Sequence, residues 1–306
     1  MIIKRRWPVR RMLALLAVSV PLTGVAALGG AGASARTVNA QEQQSENWAG
    51  YVVHDNHGQN FSSVSGSWTQ PAVSAGSGPG YSAFWVGLGG ASPQSQALEQ
   101  IGTSANVVNG KTRYSAWYEL VPAPERKLRL AVHPGDQISG RVTVDGRQVT
   151  LSLSDQTIGQ AVTKTLQMNS PDTSSAEWIA EAPSAENPGG GSQILPLANF
   201  DHVTFTNASA TAGGHTGSIS DPNWTARQIQ LSSSGGIRFP GALNLALGPG
   251  GLAGPSGAGA STSGLADGGT SFSVSYGAGG GSQPSTPVDG GGSQPLTGGA
   301  GGRDTS

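Results

Sequence analysis

From residue 47 to about 247 the chain is a succession of short runs in which apolar and polar residues alternate. Each run is bounded by Gly, Pro, Asn, Asp or Ser. No segment holds a helical period. A chain patterned in this way cannot present a continuous apolar stripe along a helix, so its core has to be assembled from strands. The runs fall at 47–53, 64–68, 82–87, 98–103, 113–120, 127–132, 137–144, 148–153, 161–166, 176–180, 203–206, 226–231 and 271–276. Many short strands at this spacing predict an all-β antiparallel sandwich.

The ends of the chain read differently. Lys4, Arg5, Arg6, Arg10 and Arg11 precede an apolar stretch over 12–28, and Ala33-Ser34-Ala35 follows as a cleavage site. Residues 1–35 are therefore expected to be a secretory signal peptide; Pro21 and Gly24 interrupt the stretch and argue against a permanent span. Residues 36–45 are expected to be a short polar, exposed arm. Residues 46–276 are expected to be the folded domain, with 248–268 as a flexible Gly-rich loop before the last strand. From 277 to 306 the chain reads as a flexible Gly/Ser/Pro-rich tail, with GGGSQP at 279–284 and again at 290–295. The basic leader and the Gly/Ala bias suggest a secreted bacterial protein.

Loss of the leader removes five of the 17 basic residues and no acidic ones, leaving 12 against 18 and a net charge of −6. That balance argues against nucleic acid or an anionic membrane as a partner. A low charge density suits a protein that works in acid, since few native ion pairs are lost on protonation. The chain has no Cys, which excludes disulfides, thiol catalysis and Cys-based zinc sites. The five histidines (His54, His57, His133, His202, His215) lack metal-ligand spacing, and no metal or other cofactor is expected. There is no G-x-S-x-G elbow and no H-E-x-x-H.

What remains for chemistry is a set of carboxyl, carboxamide and indole groups on strands. In the run around 114–121, strand parity puts Tyr114, Ala116, Tyr118 and Leu120 on one face and Ser115, Trp117, Glu119 and Val121 on the other. Tryptophan beside a carboxylate on a sheet face fits core packing with a rim charge, a sugar-stacking platform or a peptide-binding cleft. In the run from Ala176 to Glu181, both Glu177 and Glu181 share a face, and parity alone does not separate them.

Five motifs in order, Asn47-Trp48-Ala49-Gly50, Trp85-Val86-Gly87, Gln100-Ile101-Gly102, Ala116-Trp117-Tyr118-Glu119 and Ala176-Glu177-Trp178-Ile179-Ala180-Glu181, resemble the glutamic peptidases (eqolisins). Val203-Thr204-Phe205-Thr206-Asn207-Ala208 is also similar to a late strand of that family, and the resemblance covers about residues 45–276. It implies a lectin-like sandwich of two large antiparallel sheets and a catalytic Gln/Glu dyad at Gln100 and Glu181. It further implies an acid endopeptidase acting on protein or peptide substrates as a monomer, with Trp48, Trp85, Trp117 and Glu119 as candidates for the cleft wall. Two departures bear on the cleft: many family members carry Asp where this chain has Gly89, and some carry Asp where it has Ser115. The alternatives are a non-catalytic carbohydrate-binding sandwich using exposed aromatics and a glycoside hydrolase using Glu119 and Glu181.

Overall fold

The computed structural model describes residues 40–74, 78–92, 94–186, 191–239 and 258–277. The expected leader, residues 36–39 of the arm, 248–257 of the loop and the tail beyond 277 lie outside the described residues.

Among the described residues the structure is strands throughout, with one short 3-10 turn at Asp267–Gly269. The first half of the chain supplies β1 (Gln41–Ser45), β2 (Trp48–Asp55), β3 (Phe61–Thr69), β4 (Gly80–Gly89), β5 (Leu98–Val108), β6 (Lys111–Val121) and β7 (Arg126–Lys127). Strands β8 (Gln137–Asp145), β9 (Gln148–Asp155) and β10 (Gln160–Gln167) form a meander. They are followed by β11 (Ala176–Glu181), β12 (Ser184–Glu186), β13 (Ser192–Ile194) and β14 (His202–Ala212). The last are β15 (His215–Gly217), β16 (Trp224–Leu231), β17 (Gly259–Thr262) and β18 (Phe272–Gly277).

Fourteen strands lie side by side in the order β10-β9-β8-β3-β14-β18-β17-β16-β2-β11-β4-β5-β6-β7. All these ladders are antiparallel. Strand β1 adds to β16 in parallel, β15 adds to β14, and β12 pairs with β13 in a separate hairpin.

The ribbon curls over, so that β9, β8, β3 and β14 cover the inner face of β2, β11, β4 and β5. The resulting sandwich has one continuous apolar core, with Val64, Ile138, Leu151 and Phe205 on one side and Tyr51, Phe84, Val86 and Ile101 on the other. Two indoles tie the halves. Trp68 on β3 donates to Thr103 Oγ1 on β5 at 3.0 Å, and Trp178 on β11 donates to the Ser65 carbonyl on β3 at 2.8 Å. Each bond satisfies a polar atom that burial would otherwise leave costly. The approach is close enough to require glycine: a Cβ on Gly66 would lie 2.7 Å from Trp178 Cδ1.

Parity within β6 is as the sequence pattern predicts: Ala116, Tyr114, Tyr118 and Leu120 pack on the main core, while Trp117 and Val121 join a second cluster on the opposite face. Three expectations need correction. The arm is not wholly free, because Gln41–Ser45 is a strand in register with Arg227–Leu231. Its polar side chains carry no apolar alternation; the backbone ladder recruits it, with one side-chain hydrogen bond from Arg227 Nη1 to Gln43 Oε1 at 3.4 Å. The loop expected over 248–268 contains β17, whose Ala260 is buried between β16 and β18. Its residues are too small to show a hydrophobic pattern. Conversely, 127–132 alternates and buries Leu128, Leu130 and Val132, but only Arg126–Lys127 pairs as a strand. Side-chain alternation reports which residues face the core, not whether the backbone finds a ladder partner.

The Gly66 contact gives a test. Gly66→Ala should lower stability by about 1–3 kcal/mol through overpacking against Trp178, read as a reduced thermal midpoint. Gly264→Ala, where an added Cβ meets nothing within 4 Å, should leave that midpoint unchanged.

Candidate active site

Strand β11 is central, flanked by β2 on one side and by β4, β5 and β6 on the other. The register across these strands gives three parallel rows. They read Val52–Glu177–Gly87–Gln100–Glu119, Gly50–Ile179–Trp85–Gly102–Trp117 and Trp48–Glu181–Ala83–Ser104–Ser115. Residues directly opposite one another project to the same side of a sheet. Gln100, Glu119, Glu181, Trp48, Trp85 and Trp117, all named from the sequence, therefore share the outer face of this half of the sandwich, together with Glu177. The face is covered. Gln100, Glu177, Glu181 and the three tryptophans are 0% exposed, and Ala91 and Phe239 pack onto it from loops.

Trp85 lies at the centre of the face. Its Nε1 donates to Glu181 Oε2 at 2.7 Å. Its six-membered ring reaches the other way, over Gly87, where an added Cβ would lie 2.9 Å from Trp85 Cζ3. Beside it, a Cβ on Gly102 would lie 2.6 Å from Trp85 Cβ. Gly87 and Gly102 thus clear the floor on which the indole rests, and the ring spans from Glu181 to the row that carries Gln100. The Gln100 amide Nε2 donates to Glu119 Oε2 at 2.7 Å. On the far side Trp48 meets Trp85 edge-on, with ring centroids 5.0 Å apart at 78°. Trp48 is itself stacked on Phe239 at 4.3 Å and 12°. Phe239 falls outside every run the alternation picks out, so the pattern carries no signal for it.

Glu177 and Glu181 share parity but not surroundings. Neither carboxyl oxygen of Glu177 has a hydrogen-bond partner among the described residues. Burial pushes its carboxyl well above the usual range; a nearby Ser175 hydroxyl opposes this, and the charges of Asp172 and Glu99 add to it. Glu99, on the inner side of β5, is also fully buried and is pushed up to about 8 by burial. The backbone N–H of Asp172, donated to Glu99 Oε1 at 3.2 Å, opposes that rise and the Asp172 charge adds to it.

Asp172 itself behaves in the opposite sense. Burial would raise its carboxyl, but hydrogen bonds from Ser95, Ser174 and the Gly90 N–H outweigh burial and hold it below the usual value. Asp172 also accounts for one departure from the family pattern. A Cβ on Gly89 would lie 2.8 Å from Asp172 Cγ and 2.3 Å from its carbonyl oxygen. The space a side chain at 89 would need is filled by a carboxyl from the connection between β10 and β11. No group of three His, Cys, Asp or Glu side chains that could hold a metal occurs among the described residues.

Residues 46–235 match the Peptidase A4 family. Aspergillopepsin-2 from Aspergillus niger is 34% identical over 206 residues, which cover 59% of this chain and 69% of that protein. Among solved structures, scytalido-glutamic peptidase bound to a peptide-based transition state analog superimposes with a TM-score of 0.57 at 26% identity, covering 76% of this chain and 98% of that one. SCP-B, a member of the eqolisin family of peptidases in complex with the tripeptide Ala-Ile-His, gives a TM-score of 0.55 at 26% identity over the same shares.

The buried glutamates predict how stability follows pH. The Glu99 carboxyl has an ordinary value of 4.5 and is raised to about 8 in the fold. Between those limits the unfolded chain has released a proton that the folded chain retains. The contribution is therefore intact below about pH 4.5 and is lost as pH rises towards 8. The gap corresponds to at most about 5 kcal/mol. Glu177 acts in the same direction. Glu99→Gln keeps an oxygen for the Asp172 N–H and removes the titration. Its thermal midpoint should match the parent's in acid and exceed it near neutrality.

Proposed function

The chain belongs to the Peptidase A4 family and is a glutamic-type peptidase, and on that premise we propose that it is a secreted acid endopeptidase whose reaction is carried by Gln100 and Glu181. The observation that carries this reading is the Trp85 indole. It donates to Glu181 at 2.7 Å and extends across the face to the row of Gln100, so one rigid ring ties the two groups to a common surface.

In this reaction ionised Glu181 takes a proton from a water molecule, whose oxygen attacks the scissile carbonyl carbon. The carbonyl oxygen becomes an oxyanion and accepts from the Gln100 amide, a contact typically worth about 3 kcal/mol. Glu181 then returns the proton to the leaving amine as the C–N bond breaks. Glu119 accepts from Gln100 Nε2 and sets which way the amide faces. Trp48 and Trp117 form the wall against which substrate is held. Parity leaves Glu177 and Glu181 equivalent, and environment separates them. The raised carboxyl of Glu177 stays protonated in acid, where it cannot act as a base. Glu181 has an indole N–H donating to Oε2, which favours its ionised form.

Secretion follows from the signal-like composition of 1–35. Cleavage of a peptide bond needs no metal in this scheme, because the base and the oxyanion donor are both side chains.

Digestion of casein or haemoglobin at about pH 3 to 5, where a carboxylate base and a protonated leaving group coexist, tests the assignment. Glu181→Gln and Gln100→Ala should each lower kcat by about a hundred- to a thousand-fold. Glu177→Gln should retain activity within about ten-fold, since it replaces a neutral group by a neutral isostere. Full activity in Glu181→Gln, or its loss only in Glu177→Gln, would overturn the assignment.

A further inference from the structure

Resting on the reading of Glu181 as the base, we propose that Asn47 is a positioning residue for that glutamate, acting through Phe239, Trp48 and Trp85. Asn47 is 0% exposed and lies one residue before Trp48. Its side chain makes a paired contact with one peptide unit 192 residues away. Asn47 Oδ1 accepts from the Phe239 N–H at 3.1 Å, and Asn47 Nδ2 donates to the Phe239 carbonyl at 3.3 Å. A carboxamide is the side chain that offers one acceptor and one donor in the geometry of a peptide group. The pairing copies a β-ladder where Phe239 has no strand of its own.

Asn47 is in turn held. Ser45 Oγ donates to Asn47 Oδ1 at 3.2 Å and accepts from the backbone N–H groups of Asn47 and Trp48 at 3.2 and 3.0 Å. The main chain of Asn47 reaches the same glutamate from the other side, because its carbonyl accepts from the N–H of Ala182, the residue after Glu181, at 2.9 Å.

From Phe239 the contact runs inward. Its ring stacks on Trp48 at 4.3 Å, Trp48 meets Trp85 edge-on at 5.0 Å, and Trp85 donates to Glu181 at 2.7 Å. Trp48 is also the cross-strand neighbour of Glu181. A glutamate has three rotatable bonds, and here one carboxyl oxygen is held by the Trp85 indole, whose neighbour Trp48 is braced by Phe239. The Asn47 amide decides where Phe239 sits. The other carboxyls facing Glu181 on this surface are Glu177 on the same strand and Glu119 on β6. Neither is joined to Asn47 by a hydrogen bond named above, and the bond between the Asn47 carbonyl and Ala182 is main-chain and survives a change of side chain, so the rings are the route from the amide to Glu181.

The test is a pH profile of kcat and kcat/KM for the full chain on a peptide substrate. Asn47→Ala should lower kcat by about 10- to 100-fold with KM little changed, as expected for a misplaced reacting group. It should also move the acid limb to higher pH, because a carboxylate that loses its N–H donor is harder to ionise. Asn47→Asp should separate positioning from packing. In acid the neutral carboxyl presents a C=O and an O–H in place of the amide acceptor and donor, and activity should approach that of the parent. As the introduced group ionises the donor is lost, and activity should fall towards that of Asn47→Ala. Phe239→Leu keeps the backbone pairing and removes the stack; it should shift the same limb, and it serves if Asn47→Ala does not fold.

A lower thermal midpoint with an unmoved acid limb in Asn47→Ala or Phe239→Leu would overturn the proposal. So would an Asn47→Asp profile parallel to the parent at every pH. Retained activity in Glu181→Gln would instead show that the underlying assignment of the base is wrong.

Discussion

The Trp178 indole reaches across the sandwich, rests against Gly66 and donates its N–H to the Ser65 carbonyl. This contact sets the parity of β11, the strand that carries Glu177 and Glu181. With Trp178 inside, Glu177, Ile179 and Glu181 must point outward. A slip of one residue would bring both carboxyls into the main apolar core and take the largest side chain of the strand out of it. Moving two carboxyls into an apolar core costs more than a single mispaired ladder could recover. Pairing with β2 on one side and β4 on the other, at Trp48 and Ala83 opposite Glu181, then fixes where along the face the glutamate stands.

The outer face is as dry as the core, yet it gathers three glutamates, a glutamine and three indoles. Some of its polar groups are paired, Gln100 to Glu119 and Trp85 to Glu181, whereas the Trp48 and Trp117 indole nitrogens have no partner among the described residues. Burial favours the protonated form of Glu177. One strand therefore presents two carboxyls of the same parity in two different surroundings. The same burial that suits the chain to acid makes it fragile towards neutrality, since Glu99 and Glu177 must shed protons inside the protein.

Glycine has a specific use in this site. Gly87 and Gly102 flank Trp85 and let its ring lie along the sheet, and Gly89 leaves room for Asp172. The high glycine content of the folded region is thus partly a requirement for seating large rings against backbone. The carboxyl that the family pattern would lead one to seek on β4 stands on the connection before β11 instead. A local motif comparison registers only that a residue is missing and cannot see a side chain arriving from elsewhere.

Period-two alternation made the strand content legible, and the order of five short motifs was enough to gather Gln100, Glu181, Trp48, Trp85, Trp117 and Glu119 as one set. Alternation failed where side chains are small or uniformly polar, as in β17 and β1, and it overreached at 127–132, where apolar residues face the core without a paired backbone. The sequence by itself determined the sheet class and the face each residue takes within a strand, because both follow from local spacing along one chain. Only the tertiary structure decided which carboxyl receives the indole N–H, that Asp172 fills the space beside Gly89 and that Phe239 is held by Asn47. Each of those depends on an atom from a remote segment entering a dry environment, and neither burial nor a partner 192 residues away is encoded in the spacing of neighbours.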